Sequence, residues 1–238
     1  MFTLDEIAEM LQDDLARADG LMDLYGSLPS SQLGVGPTVT EADVLRSALV
    51  FCHAAMEQCL RSLLLVWWPN NPDRTLFDEA ELPVLAAATE TERGPRIKWS
   101  GLLQAGRHRT VHELLTSAVA ATLEERSFNN WRQIRLALKQ LGIPRDVVDS
   151  IPEELHRDIS LAAQRRHFIV HRLDQHGTGA GGGQIAQHIS LDFVAAHRQN
   201  LHRFFVVYVF PALPPHPPHP ILPLPGLDHA VGQRLDQR

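Results

Sequence analysis

The chain contains few cysteines. Only two of its 238 residues are cysteine, Cys52 and Cys59, and both fall in one predicted helix. Seven residues of helix separate their α-carbons by about 10 Å, which excludes a disulfide between them. We therefore expect two buried thiols in a reducing compartment rather than a disulfide framework.

Long apolar runs, a signal sequence and a positive net charge are also missing. The longest oily runs, SLLLVWW and FFVVYVF, are shorter than the roughly 20 residues that cross a bilayer. The first residues, MFTLDEIAEMLQDD, are acidic and amphipathic, unlike a signal peptide. The net charge of -6 means that nucleic-acid binding requires a local basic patch. We expect a cytoplasmic protein with no membrane partner.

Helix signals dominate what is present. Apolar residues recur at helical spacing, capping residues precede several of these segments, and prolines or glycines end them. No strand-rich region and no internal repeat is apparent, so the sequence predicts an all-α fold, a helical bundle. Residues 69–109 carry no firm assignment. The predicted helices cover residues 4–25, 41–68 with Thr40 and Asp43 as a cap pair, 110–126, about 129–141, a segment with Pro152 in its first turn, and 190–210.

Two segments are unlike helices. GTGAGGG, residues 177–183, has five glycines in seven residues and is predicted to be a flexible loop. Residues 211–225 include eight prolines, which favour polyproline II and a disordered, extended tail. The predicted organisation is an N-terminal helix and linker (1–39), a helical bundle (40–210) and a Pro-rich tail (211–238).

The stretch AAQRRHFIVHRLDQH, residues 162–176, combines arginines and histidines with an apolar run. On a helix, Phe168 and Ile169 fall on the side expected to anchor it in the bundle, with Leu155, Leu161, Ala162 and Leu173. Arg166 lies about 140° and Arg165 about 120° around the axis from His171. One helix alone would not gather them on one ligand, which favours a homodimer. One polar arc contains Ser160, Gln164, His167, His171 and Asp174.

RRHFIVHRLD resembles the Arg-(four to six residues)-His signature of the HEPN superfamily, with four residues between Arg166 and His171. Three further segments are similar to segments of RiboL-PSP-type HEPN proteins and follow in the expected order across residues 40–210. They are VLRSALVFCHAAMEQCLRSLL, SFNNWRQIRLALKQLGI and ISLDFVAAHRQNLHRF. His167 stands where the family usually has asparagine after the arginine, which leaves the role of His167 open. The resemblance implies a HEPN-type bundle with an extra N-terminal helix.

The resemblance also implies a metal-independent RNA endonuclease without a cofactor, acting at a dimer interface. A base must remove the proton of the ribose 2′-hydroxyl before it attacks phosphorus, and imidazole suits that step. Guanidinium matches the charge that develops on the phosphate oxygens. His171 would move the proton, Arg166 would stabilise the charge, and His167 would orient the phosphate or carry a second proton. The product would be a 2′,3′-cyclic phosphate.

The remaining residues of this predicted site have supporting roles. Arg165 and Arg172 would hold flanking phosphates, while Gln164 and Asp174 share the polar arc. Glu57 would pair with an arginine of the signature helix, although a simple ion pair with Arg61 is favoured. The resemblance further implies a toxin or antiphage defence effector, with RNA as substrate and an antitoxin or regulatory protein as partner.

Three other interpretations stay open. The first is a non-catalytic dimerisation or binding module of the same fold. The second is a metal site, because His167 and His171, like His108 and His112, are spaced i, i+4, but both pairs lack the inner glutamate of a metalloprotease helix. The third concerns the tail, where His216 and His219 could bind a metal loosely, although proline-rich docking is favoured.

Four tryptophans could stack on bases, namely Trp67, Trp68, Trp99 and Trp131, although Trp67 and Trp68 are favoured as core residues.

Overall fold

The protein is mostly helical in a computed structural model that describes residues 2–28, 39–71, 111–172, 175–178, 184–186 and 188–215. This agrees with the prediction of a helical fold. The α-helices of the described residues are α1 (Leu4–Ser27), α2 (Val39–Trp67), α3 (Val111–Glu125), α4 (Trp131–Gln140), α5 (Arg145–Ser150), α6 (Glu153–Arg172) and α7 (Leu191–Arg203). Shorter elements are a 3-10 turn (Trp68–Asn70), strands β1 (Gln175–Thr178) and β2 (Gln184–Ala186), a π-helical turn (Phe204–Val209) and a 3-10 turn (Phe210–Ala212).

Side-chain caps define where several helices begin. Thr3 and Glu6 form a reciprocal capping box at α1, which satisfies backbone donors that the first turn leaves open. Asn130 caps α4, and the hydroxyl of Ser190 accepts from the backbone N–H of Phe193 at 3.2 Å. The predicted cap at Ser190 is therefore confirmed. α2 instead begins at Val39, ahead of the predicted cap at Thr40.

The bundle has two hydrophobic core clusters, and α1 belongs to the larger one. The first core cluster includes Ile7, Leu11 and Leu15 of α1 together with α2, α4 and the segment after α7. The N-terminal helix, predicted as a separate segment before the bundle, thus shares its core. The second core cluster lies where the N-terminal half of α2 meets α6 and α7, and comprises Ala42, Leu45, Ala48, Leu49, Ala162, Ile189 and Val194.

A short antiparallel hairpin follows α6. Gln175 pairs with Ala186 and Thr178 with Gln184, with an irregularity in register between these pairs. The prediction of a loop across 177–183 is therefore wrong at its start, since Gly177 and Thr178 belong to β1. Backbone pairing outweighs low strand propensity there because it satisfies donors and acceptors that a loop would leave to water. Residues 179–183 lie outside the described part of the chain.

The first residues of the predicted tail pack on the bundle. Ala212 and Leu213 contact the first core cluster, and the indole N–H of Trp67 donates to the carbonyl of Pro214 at 3.0 Å. A buried indole N–H needs an acceptor, which is why this segment ends against Trp67 rather than extending into solvent. Residues 216–238, including His216 and His219, lie outside the described residues.

The long apolar helix α2 forms the centre of the protein. By length and composition alone, Glu41–Asn70 could cross a membrane, but 61% of its most apolar 18-residue window is buried within the protein. This burial is typical of the core helix of a globular fold. Trp67 and Trp68 are both buried, as favoured from the sequence, and so are the free thiols of Cys52 and Cys59.

Candidate functional site

Arg166 and His171, which begin and end the signature motif, lie on one uninterrupted helix. α6 runs from Glu153 to Arg172, so the α-carbons of Arg166 and His171 keep the helical separation of about 140°. The side chains of His171 and Arg172, and all of Asp174, lie outside the described residues. The predicted meeting of His171 with Arg166 therefore stays a prediction.

The three apolar side chains of Phe168, Ile169 and Val170 point in different directions. Ile169 packs against the second core cluster, Phe168 lines a cleft, and Val170 points outward with 48% of its surface exposed. Leu161 was expected on the anchoring side but is 50% exposed. That expectation is wrong because the segment leading into α7 meets α6 through Ile189 and Ala162, which leaves Leu161 at the rim.

Arg165 is buried and fixed rather than presented to solvent. Its exposure is 9%, and its Nη2 donates to the main-chain carbonyl of His188 at 3.1 Å. This bond ties α6 to the segment that leads into α7. The guanidinium of Arg165 thus positions a loop, because a buried charge needs a fixed acceptor. Its role in holding a flanking phosphate stays a prediction.

Arg166 and His167 have more access to solvent than Arg165. Arg166 is partly buried, and its Nε has no hydrogen-bond partner in the part of the chain that the structure describes. His167 is exposed, with its ring centroid 6.1 Å from that of Phe168 in an edge-to-face arrangement. Both side chains of the predicted catalytic set that can be described are thus at or near the surface.

A cleft of about 690 Å³ lies between α6 and α7, and we call it the α6–α7 cleft. Its polar lining includes Gln164, which was predicted as a supporting residue, and His188, which the sequence interpretation missed. The only feature of the sequence that could have indicated a role for His188 is its position two residues before Ser190, the cap of α7. The cleft is lined by Leu161, Gln164, Arg165, Phe168, His188, Ile189, Ser190 and Phe193.

A smaller cavity of about 320 Å³ lies between α2 and α6, where Ile169 lines it. Arg46 of α2 lines the same cavity and donates to Asp43 at 2.8 Å. Asp43 was predicted to share the cap of α2 with Thr40, and its contact with Arg46 was not anticipated. Arg46 is thus a second buried arginine near the end of α6, and sequence reasoning did not single it out.

Glu57, predicted to support the site, contacts a different part of the bundle. Its Oε1 accepts from the backbone N–H of Phe128 at 3.0 Å and lies 3.6 Å from Nε2 of His53. Burial raises the pKa of Glu57, but the close imidazole of His53, the hydrogen bond from the Phe128 N–H and the charge of Arg61 outweigh it and lower that pKa to about 2. The carboxylate therefore holds the connection between α3 and α4.

Arg61 also turns towards that connection instead of forming the favoured pair with Glu57. It donates to the carbonyl of Arg126, and its guanidinium lies 5.6 Å from the centroid of Phe128. Phe128 belongs to the first core cluster, whereas the α6–α7 cleft borders the second. The supporting role of Glu57 at the signature helix is thus corrected, since its partners belong to the other cluster.

A second contact between α6 and α7 is a buried histidine–carboxylate pair. Nδ1 of His197 lies 3.1 Å from Oδ2 of Asp158, and His197 is 1% exposed. Burial raises the pKa of Asp158, but the hydrogen bonds of His197 and Asn200 lower it below its ordinary value. Neither residue was predicted to matter. Together with Arg165, this pair fixes α7 against the signature helix.

Metal ligation was the remaining interpretation from the sequence. The described ranges contain no group of three or more His, Cys, Asp or Glu side chains placed to hold a metal ion. His108 and the side chain of His112 lie outside those ranges.

Comparison with known proteins returns no relative. No family model matches the chain, no curated protein matches it, and no solved structure matches its fold.

Proposed function

We propose that this protein is a metal-independent RNA endonuclease with a HEPN-type bundle that acts as a homodimer. The observation that supports it best is that one uninterrupted helix carries Arg166 and His167 at or near the surface, where a phosphate can reach them. A cytoplasmic role as a toxin or antiphage effector restrained by a partner protein rests on the family resemblance. RNA is the proposed substrate because it provides the 2′-hydroxyl nucleophile.

The proposed chemistry assigns one task to each side chain. His171 removes the 2′-hydroxyl proton, and the oxygen attacks the adjacent phosphorus as the bond to the leaving 5′-oxygen breaks. Arg166 stabilises the negative charge on the non-bridging oxygens. His167 orients the phosphate or returns a proton to the leaving oxygen. Arg172 holds a neighbouring phosphate, and Asp174 supports the histidines from the same arc.

The proposed dimer brings these groups together across two subunits. Arg166 and His171 start from opposite parts of the helix surface, so two copies of α6 are needed to surround one phosphate. Val170 lies one turn after Arg166 and is 48% exposed, which provides apolar surface at the proposed contact. Each phosphate would then be contacted by Arg166 of one subunit and His171 of the partner subunit.

Cleavage of labelled RNA in excess EDTA tests the reaction. We expect cleavage that continues with the chelator and leaves 2′,3′-cyclic phosphate ends, while DNA of the same sequence stays intact. Cleavage that stops with EDTA would identify a metal-dependent hydrolase instead. No cleavage of any RNA by a correctly folded dimer would favour the non-catalytic binding module.

Two variants with matched controls test the assignment of residues. His171→Ala should abolish cleavage with the fold intact, and His202→Ala on α7 is its control. Arg166→Ala should reduce the rate roughly a hundredfold, because one such donor contributes about 3 kcal/mol in the transition state. Arg157→Ala, an exposed arginine on the same helix, should cut at the parental rate. A His171→Ala protein that cuts normally would refute this site.

The dimer has its own test. Val170→Glu places a charge at the proposed contact and should shift the protein to monomers in sedimentation analysis and reduce cleavage. Val207→Glu is the control, since Val207 is 54% exposed on the π-helical turn after α7. A Val170→Glu protein that remains dimeric would show that subunits do not meet at this face.

The second candidate is a non-catalytic binding module, with which the structural role of Arg165 is equally compatible. A buried arginine that holds a backbone carbonyl stabilises the fold whether or not the helix beside it cuts RNA. In that case RNA would bind with the same dependence on Arg166 and His167, but no product would form. Binding measured by filter retention beside the cleavage assay distinguishes the two candidates.

A further inference from the structure

The α6–α7 cleft has two aromatic walls on opposite helices. Phe168 comes from α6 and Phe193 from the first turn of α7, and both are only partly buried. Leu161 and Ile189 extend this apolar lining. Partly buried aromatic rings at the mouth of a cavity leave surface on which a flat, apolar-faced ligand can stack.

The same cleft carries groups that donate and accept hydrogen bonds. The amide of Gln164 offers both functions and is exposed, and the ring of His188 offers one of each when neutral. The Arg165–His188 bond holds the backbone of this polar edge against α6. Side chains of this kind recognise the edge of a planar heterocycle, while the aromatic residues contact its face.

We propose that the α6–α7 cleft binds one unpaired nucleobase of RNA. The inference rests on the proposed function only for its biological setting, since RNA is the substrate proposed there. Gln164, Phe168 and Phe193 bind the base. The volume of about 690 Å³ accommodates a purine or a pyrimidine. This site would give the protein a preference for single-stranded RNA at one position.

Binding of RNA that cannot be cut tests the cleft independently of catalysis. The probes are short 2′-O-methyl oligonucleotides, either all adenine or all uracil, and a matched oligonucleotide with abasic positions. The full-length protein should bind the base-containing probes at least tenfold more tightly than the abasic probe, because stacking on an aromatic side chain accounts for such a factor or more. Equal binding of all probes would overturn the proposal.

Variants locate the binding to this cleft. Phe193→Ala should remove most of the difference between base-containing and abasic probes and leave the abasic affinity unchanged. Gln164→Ala, which removes an exposed side chain, should change the ratio between adenine and uracil probes. Gln199→Ala on the exposed side of α7 is the control and should behave as the parent. If both cleft variants retain the parental ratios, the base lies elsewhere and the proposal fails.

The outcome is separable from that of the nuclease proposal. Base-dependent binding in a protein that cuts no RNA would uphold the cleft and refute the enzyme. Cleavage that is equally fast in Phe193→Ala and in Gln164→Ala, with unchanged preference for bases, would uphold the enzyme and refute the cleft.

Discussion

The guanidinium of Arg165 donates to the backbone carbonyl of His188 at 3.1 Å and thereby fixes the segment before α7 to the signature helix. The arginine has 9% of its surface exposed, so this bond forms away from bulk water. Hydrogen bonds from a charged donor contribute more than neutral ones, and removing one partner leaves the other desolvated. The wall of the α6–α7 cleft therefore depends on a side chain that solvent hardly reaches.

Removal of that bond should loosen the cleft. Arg165→Ala is expected to lower the free energy of unfolding by about 2–3 kcal/mol and to speed amide exchange at Ile189. Arg157→Ala, exposed on the same helix, should change stability by less than about 0.5 kcal/mol. Chemical denaturation and hydrogen exchange measure both effects. Equal stability of the two variants would contradict the anchoring role of Arg165.

Glu57 should make the protein sensitive to acid. Its pKa is lowered to about 2 in the folded protein, so its stabilising effect is complete above the ordinary value of 4.5 and is lost as the pH falls from there towards 2. The loss should be on the order of 3 kcal/mol. In Glu57→Gln this part of the pH dependence should vanish, whereas Glu124→Gln, an exposed control, should keep it. The measurement is chemical denaturation at several acidic pH values. If Glu57 were unimportant, the free energy of unfolding of Glu57→Gln would fall with pH as steeply as that of the parent.

The Asp158–His197 pair should stabilise the contact of α6 with α7. Asp158→Asn weakens a hydrogen bond to a histidine that is almost completely buried, and we expect a loss of about 2 kcal/mol. The pKa of Asp158 is lowered, so the difference between parent and variant should shrink as the pH falls below the ordinary range of aspartate. Asp192→Asn is the exposed control. A constant difference across acidic pH would argue against the lowered pKa.

The two thiols should be unreactive in the native protein. Burial raises the pKa of the Cys52 thiol to about 12 and also raises that of Cys59, so almost no thiolate forms near neutral pH. Ellman's reagent should detect no thiol until the protein is unfolded in guanidinium chloride, and then two. Rapid reaction of one equivalent under native conditions would show that a thiol is accessible.

The segment after α7 should contribute to stability as far as Pro215. A chain that ends after Ala212 lacks Leu213 and the carbonyl of Pro214 that accepts from Trp67. We expect it to be about 1–3 kcal/mol less stable than a chain ending after Pro215, from the lost hydrogen bond and apolar burial. Thermal denaturation of the two truncated proteins, which differ by three residues, isolates this contact. Identical melting would contradict it.

Much of the secondary structure could be predicted because its causes are local. The spacing of Ile7, Leu11 and Leu15 sets a buried stripe on α1, and Ser190 begins α7 through a bond within its own first turn. The start of the helix containing Arg166 and His167 also follows from a nearby residue, since Pro152 directly precedes Glu153. Local patterns do not depend on which other elements pack nearby.

The exposure of individual arginines could not be predicted in this way. Arg165 and Arg166 are adjacent and chemically identical, yet one is buried against the carbonyl of His188, 23 residues later, and the other is nearer the surface. Which of them turns inward depends on where α7 lies, and that position depends on packing between distant segments. Packing between distant segments also decides that His188 lines a cleft, which the sequence did not indicate. It likewise decides that Glu57 faces Phe128.

The sequence by itself determined the helical class, most helix limits, the buried thiols and the helix that carries the arginines and histidines, because these follow from periodicity, capping and composition. Only the tertiary structure decided that α1 and Pro211–Pro215 pack on the bundle, that Arg165 anchors a loop, and that a cleft opens between α6 and α7. Those features arise where segments far apart in the chain meet, and their burial and hydrogen bonds exist only once the chain has folded.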